Sequence, residues 1–534
     1  MRSHRFVGPF LATLSLTAGV LVAAPLAAPV AADPGASTRT AQRVLAPVRV
    51  SVMTQNIFYG GDDYDLATGD FCPVANGCPK ALHRLAHVIK VSGADVVGVQ
   101  EAEQNTRRLA DLLGWYSSPR AHVISRFPIL DPPHSEGVFT YVEPVPGRVI
   151  AVANTHLPST PYGPYRVRAG WSRQRVLHLE RTLRVPALKP VLAKLPRLAK
   201  KGVPVFLTGD FNSPSYLDWT PAAAKERKLV PYSLKWPASK TLADAGFRDS
   251  YREIHPDPVK DPGFTWSPGG PETRKYDFSD RIDWVLHSGP STAVSSKLLG
   301  EKGDHQADIT FHKPYPSDHR GVVSTFDVTP ARAPIMVSPG NRRVITGPHR
   351  LHVRFHAHGL PGEVVGLRPA GSQHRLLRQA NARGRRDGVV SIRTAHLRPG
   401  RYDVVLRDSA TGRTEATAPV WVYRASSRSQ LRSDRHTYRV GEPIRIHWTR
   451  AQGNNLDWIG LFPCHRVCGG VSTYLDYLYT HTKVVGSVTF QKGAYLGEGT
   501  EPWPLPPGRY VARLLLDDGY QSLGTSPRFR VVGR

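Results

Sequence analysis

Six short apolar runs in this chain each stop on, or start from, a carboxylate, a carboxamide or an imidazole, and that pattern constrains the fold more than any other feature. Val203-Pro204-Val205-Phe206-Leu207 runs into Thr208-Gly209-Asp210-Phe211-Asn212. An apolar run before a Gly turn reads as a buried strand, here delivering Asp210 and Asn212 to its C-terminal end. Val48 to Met53 alternates like a half-buried strand and leads to Gln55-Asn56. Ala94 to Val99 ends at Gln100-Glu101, and Val149 to Ala153 hands over to Asn154-Thr155-His156. The run Asp280 to Leu286 starts with acidic residues, and Ser317-Asp318-His319-Arg320 precedes Gly321 to Phe326. After any one strand, an Asp or Asn is ordinarily a turn former bonding its own backbone. Six together describe a site assembled on a sheet scaffold. Between the runs, Leu82, Leu85, Ala86 and Ile89 recur at helical spacing until Ser92-Gly93, and a basic helical region spans Val167 to Lys201 with a break near Pro186.

Asn56, Gln100-Glu101, Asn154-Thr155-His156-Leu157, Gly209-Asp210-Phe211-Asn212, Asp280-Arg281-Ile282-Asp283 and Ser317-Asp318-His319 stand in the order that resembles the endonuclease/exonuclease/phosphatase superfamily, of which deoxyribonuclease I is a member. The resemblance covers residues 48 to about 328. It implies a four-layer αββα sandwich, two mixed sheets with helices outside, and a phosphoesterase site at one end of the sheets. It further implies that Asn56, Glu101 and Asp318 hold Mg²⁺ or Mn²⁺, for which hard oxygen ligands are suited. By the same likeness His319 is the general base, with Asp283 fixing its tautomer, Asp210 holds the attacking water, and Asn212 and His156 donate to the phosphate.

Which ester is cleaved stays open. Inositol polyphosphate 5-phosphatases carry an Arg two residues after the Asn of their Gly-Asp-x-Asn motif; here Asn212 is followed by Ser213-Pro214. Tyr276-Asp277-Phe278-Ser279-Asp280 and Phe264-Thr265-Trp266 are closer to the nuclease and secreted branches. A nuclease is therefore expected first. A phospholipid, sphingomyelin or small-molecule phosphoesterase is the alternative, and an inactive polyanion- or surface-binding protein the rival from another class. Trp219, Trp236 and Trp266 read as core, with base stacking or lipid insertion the sharper possibility.

Residues 1–32 have the anatomy of a secretory signal: Arg2 and Arg5, an apolar segment from Val7, and Val30-Ala31-Ala32 as a small-residue cleavage site. Residues 33–46 read as a linker, and an exported protein without a further membrane span follows. In that setting Cys72 with Cys78 and Cys464 with Cys468 read as local disulfides, since neither pair has the two-residue spacing of a zinc site. The catalytic domain is expected over 47–330.

From Ala333 the helical period disappears and short alternating strands take over. Leu397-Arg398-Pro399-Gly400-Arg401-Tyr402 and Leu505-Pro506-Pro507-Gly508-Arg509-Tyr510 are near copies 108 positions apart. Two immunoglobulin- or fibronectin-like β-sandwiches are expected, at 333–426 and 429–534. Leu456 to Phe462 and Asp517-Asp518-Gly519-Tyr520 of the second resemble the small β-sandwich called SKICH. The formal charge is +27, and residues 331–430 hold 18 Arg, no Lys and five acidic residues. Such an Arg excess suits an anionic polymer or surface, nucleic acid included.

Overall fold

Strands form where the apolar runs stand. The computed structural model describes residues 46–66, 68–72, 77–267, 279–373, 375–470, 473–493 and 503–533. The expected signal at 1–32, nearly all of the linker, and Tyr276, Asp277 and Phe278 lie outside the described residues.

Six strands carry the architecture: β1 (Val48–Asn56), β2 (Val96–Gln100), β3 (Arg148–His156), β4 (Val205–Asp210), β5 (Asp283–Ser288) and β6 (Gly321–Val328). In one seven-stranded sheet β6, β1 and β2 are neighbours, with Ser291–Glu301 beyond β6 and Val123–Ser125 beyond β2. In the other, β5, β4 and β3 are neighbours, with Phe139–Val145 beyond β3. β1 runs parallel to β2 and β4 parallel to β3, while β5 and β6 run antiparallel to their partners. The C-terminal ends of four strands and the N-terminal ends of two therefore lie on the same edge.

The two sheets face each other across a dry layer containing Val50, Val52, Val96, Ile150, Val152, Phe206 and Phe326. Full burial of each such side chain contributes ~1.5–3 kcal/mol. Helices Pro79–Ser92 and Thr106–Leu113 cover the outer face of the first sheet, and Lys189–Lys200 and Pro237–Asp244 that of the second. This is the αββα order. The helix at Pro79–Ser92 starts on a proline and stops at Gly93, whose φ of 74° is open to glycine. The basic region splits into Gly163–Arg168, Arg173–Ala187 and Lys189–Lys200, breaking one residue after Ala187 rather than at Pro186 itself.

Beyond Arg332 two sandwiches follow. In the first, a three-stranded sheet (Met336–Pro339, Arg350–His356, Asp387–Arg393) faces a five-stranded one. The second repeats the plan, with Gln430–Ser433, Ile444–Thr449 and Gly486–Phe490 as its smaller sheet. The repeated motif has a structural purpose. Tyr402 Oη donates to the Arg398 carbonyl at 2.7 Å and Tyr510 Oη to the Pro506 carbonyl at 2.7 Å, each fixing the corner at which the next strand begins. Both expected disulfides are formed, Cys72–Cys78 and Cys464–Cys468. Among the described residues no helix is long and apolar enough to cross a membrane.

Candidate active site

Register brings the sequence-predicted residues level with one another. Asn56 lies opposite Gln100 across the β1–β2 pair, and Asp210 lies opposite both His156 and Asp283. The two sheets are then tied at this end by Asn154. Its Oδ1 accepts from Gln100 Nε2 of the other sheet at 2.5 Å and from Thr208 Oγ1 at 3.0 Å, and its Nδ2 donates to the Val99 carbonyl.

Asn56 is the hub of the cleft. Its amide donates to Glu101 Oε1 at 3.0 Å and to Asp210 Oδ2 at 3.1 Å, while its Oδ1 accepts the Phe58 N–H at 2.9 Å. Glu101 follows the last residue of β2 with φ of 52°, and Asn212 has φ of 48°. Non-glycine residues in the left-handed region carry strain that persists only where surroundings impose it. Here the second oxygen of Glu101 accepts the Tyr59 N–H at 3.0 Å, and the Asn212 N–H donates to Asp210 Oδ1 at 2.9 Å. The Asn212 amide itself donates to the Leu157 carbonyl at 3.0 Å.

His319 is buried between two carboxylates, with Nδ1 at 2.9 Å from Asp283 Oδ2 and Nε2 at 3.6 Å from Asp210 Oδ2. His156 Nε2 lies 3.5 Å from the same Asp210 oxygen. Burial opposes charge on both imidazoles, but the neighbouring carboxylates outweigh it: His156 is pushed up to about 9 and His319 well above its ordinary range. Burial pulls Asp210 the other way, and the two histidines overcome it, holding its carboxyl below the usual value. The last turn is fixed by Ser317, whose Oγ donates to the Asn56 carbonyl and accepts the His319 N–H, and by Gln55, whose amide reaches the carbonyls of Asn56 and His319.

The chemistry of Asp318 and Glu101 suits a cation. Asp318 Oδ1 is buried without a hydrogen-bond partner, and burial, with Glu101's charge adding to it, lifts this carboxyl to about 6. Two hard, mutually repelling oxygen donors with an orphaned lone pair match the chemistry of a divalent ion. Asp210, Asp283 and His319 also bring ligand-type atoms within 4.8 Å of one another, with His319 Nδ1 hydrogen-bonded to Asp283 Oδ2 and Asp283 Oδ1 buried without a hydrogen-bond partner.

Other residues singled out in the sequence have structural places. Asp280 accepts from Tyr162 Oη and Trp219 Nε1, and Arg281 is buried between Asp218 and Asp249. β5 starts at Asp283, three residues later than the run suggested, because Asp280 pairs with Trp266 instead. Trp219 and Trp236 are core. Trp266 lines the cleft, with its ring centroid 6.2 Å from that of His319 and 5.5 Å from that of Tyr162. Motif reading passed over Gln55, whose two roles appear only when β1 and the His319 turn are seen side by side.

The sequence profile of the Endonuclease/Exonuclease/phosphatase family matches residues 53–319, half of the chain. The chain belongs to that family. Membership makes it a hydrolase of phosphate esters. An uncharacterized protein of Caenorhabditis elegans is 30% identical over 308 residues, covering 52% of this chain and 91% of that one. Among solved structures, D. rerio TDP2 complexed with single strand DNA product is 17% identical, with 52% of this chain and 99% of that one covered at a TM-score of 0.30. An endonuclease/exonuclease/phosphatase family protein from Bacteroides thetaiotaomicron is 14% identical, with 53% and 98% covered at a TM-score of 0.31.

Proposed function

We propose that this protein is an exported, divalent-metal-dependent phosphodiesterase that cleaves its ester by in-line attack of water, with nucleic acid as the first substrate class to test. One observation carries the reading: residues from Asn56 to His319, distant in sequence, meet at one edge of two sheets. Glu101 and Asp318 would hold Mg²⁺ or Mn²⁺; Asn56, expected as a ligand beside them, instead orients Glu101 through its Nδ2, since its Oδ1 already accepts the Phe58 N–H. When bound, the ion would neutralise charge on the phosphate and its leaving oxygen.

The protein's own groups divide the remaining work. His156, charged at neutral pH, and the Asn212 amide donate to phosphate oxygens. Asp210 begins without its proton and accepts from the attacking water. His319 begins with its proton, held by Asp283 and Asp210, so it fits a donor to the reacting phosphate better than the general base its motif suggested. Asp283 keeps that ring oriented.

Secretion, the signal at 1–32, the catalytic segment 47–330 and the sandwich boundaries 333–426 and 429–534 are parts of the same proposal. Two local disulfides support the exported setting. Most arginines of 331–430 are exposed, which supports an anion-holding surface there; phosphate contacts of that kind weaken steeply with salt. The test is a parallel assay of the whole protein on plasmid DNA, RNA, sphingomyelin and an aryl phosphodiester, with and without chelator. Nicking of plasmid abolished by chelator and restored by Mg²⁺ or Mn²⁺ is expected. Release of phosphocholine alone would select the lipid alternative, and chelator-resistant turnover would remove the metal from the reading.

A further inference from the structure

The second sandwich packs against the catalytic part close to Glu101. Its turn Asp517-Asp518-Gly519-Tyr520 links strands Gly508–Leu515 and Ser522–Thr525. Asp517 Oδ1 lies 2.9 Å from His122 Nε2, with both side chains buried. The His122 carbonyl accepts the Val99 N–H, so the contact is anchored two residues before Glu101. Gly519 stacks on Glu103: a Cβ added there would sit 3.0 Å from Glu103 Oε2. On its other side the same carboxylate oxygen would lie 3.3 Å from a Cβ at Gly60, next to Tyr59, whose N–H holds Glu101. Glu103 is thus clasped between a catalytic-side turn and a sandwich turn. Elsewhere along the same face, a Cβ on Gly137 would meet Thr482 and Asn455 within 3 Å, so the docking is continuous.

The turn is held rigidly. Asp517 N–H donates to Asp457 Oδ1 and Asp518 N–H to the Leu456 carbonyl, Tyr479 Oη donates to Asp518 Oδ1 at 2.7 Å, and Trp458 Nε1 donates to the Gly519 carbonyl at 3.1 Å. Asp517 and Asp518 both stand in the left-handed region, with φ of 47° and 64°. Backbone strain of this kind, over-determined by its surroundings, is characteristic of sites where position matters. What the turn presents is an aromatic ring and a negative charge. Tyr520 is 45% exposed and Tyr59, on the catalytic side, 41%. The charge of Asp518 is felt by both Glu103 and His156.

We propose that Asp518 and Tyr520 form one wall of the catalytic cleft and select the alcohol part of the ester, accepting a planar or cationic group and disfavouring one that ends in a doubly charged phosphate monoester, which the singly charged diesters inside a nucleic-acid chain are not. The second sandwich is then a specificity element of the enzyme. Tyr520 offers a π-face, to which a planar group or a cation is attracted, and Asp518 repels most strongly the double charge of a terminal phosphate placed beside the scissile one. The inference rests on the phosphodiesterase reading above.

The test compares kcat/KM of the whole protein for two p-nitrophenyl phosphodiesters, one with choline as the second alcohol and one whose second alcohol carries a further phosphate. The wild-type protein is expected to prefer the choline ester. Asp518→Asn, whose carboxamide oxygen still accepts from Tyr479, should shrink that preference at least about threefold. Tyr520→Ala should lower kcat/KM for the choline ester more than for the corresponding methyl ester. A loss of structure would lower all three esters alike and leave the ratios fixed; unchanged ratios in both variants overturn the inference while the phosphodiesterase reading stands. A wild-type protein inactive on every ester removes both together.

Discussion

A single carboxamide, that of Asn56, joins Glu101, expected like Asn56 itself to hold the metal, to Asp210, expected to hold the water. Its Nδ2 donates to Glu101 and to Asp210, and the Phe58 N–H fixes which way the amide faces. Asn56→Ala should therefore leave both carboxylates in place but release their orientation. Partners of this supporting kind are worth ~10- to 100-fold in metal affinity or activity. We expect turnover to fall within that range with an unchanged unfolding midpoint, and activity to recover partly at raised Mg²⁺. Wild-type turnover in the variant would refute the hub. Glu101→Gln removes the charge itself, and turnover should drop at least ~100-fold, comparable to losing a catalytic acid or base. The sequence showed that Asn56 and Glu101 end neighbouring apolar runs, since strand ends are written in hydrophobic pattern. It could not show the direct bond between them, which depends on a one-residue register and on the left-handed backbone at Glu101.

At the scale of elements, the two sheets approach closely at Gly98. A Cβ there would fall 1.8 Å from Thr208 Oγ1 and 2.6 Å from Asn154 Oδ1. Gly98→Ala must push β2 away from β4 at the point where Asn154 bridges them. Overpacking of that order costs ~1–3 kcal/mol, to be read as a lowered urea midpoint, and it should also depress turnover because Glu101 is three residues on. Arg281 shows the opposite limit of motif reading. It sits inside the Asp-Arg-Ile-Asp signature, yet it is buried away from the cleft chemistry, paired with Asp218 at 3.0 Å and Asp249 at 2.7 Å. Replacing it with Met strands part of that acidic charge in the core and should cost ~3–5 kcal/mol, with a smaller proportional effect on the activity of the remaining folded protein. All six strands were legible because each is a run of apolar residues closed by a turn or polar stop. Helices Thr106–Leu113 and Pro237–Asp244 were passed over, being only eight residues long, too short for periodicity to stand out.

At the scale of the whole molecule, the catalytic part and the second sandwich meet at a contact that no local pattern announces. Residues 122 and 517 are separated by most of the chain, and neither belongs to a motif shared with the other. Burial works against a charged His122, but the charge of Asp517 and its hydrogen bond outweigh burial, so the imidazole's proton is held more tightly than its ordinary value of 6.5. Asp518 adds to this and His156 opposes it. A group whose folded value is raised contributes stability that is fully present below its unfolded value and is lost as pH rises through the folded one. Docking of the second sandwich should accordingly weaken on the alkaline side. His122→Gln removes the titrating group while keeping a polar side chain, so the stability difference between wild type and variant should be largest near pH 6 and shrink as pH is raised toward 9. Urea unfolding of the whole protein at a series of pH values measures that difference. One that stays constant across the series would mean that the His122–Asp517 pair is not an ion pair in the folded protein, and that the sandwich is held to the catalytic part by packing such as that of Gly137 against Asn455 and Thr482.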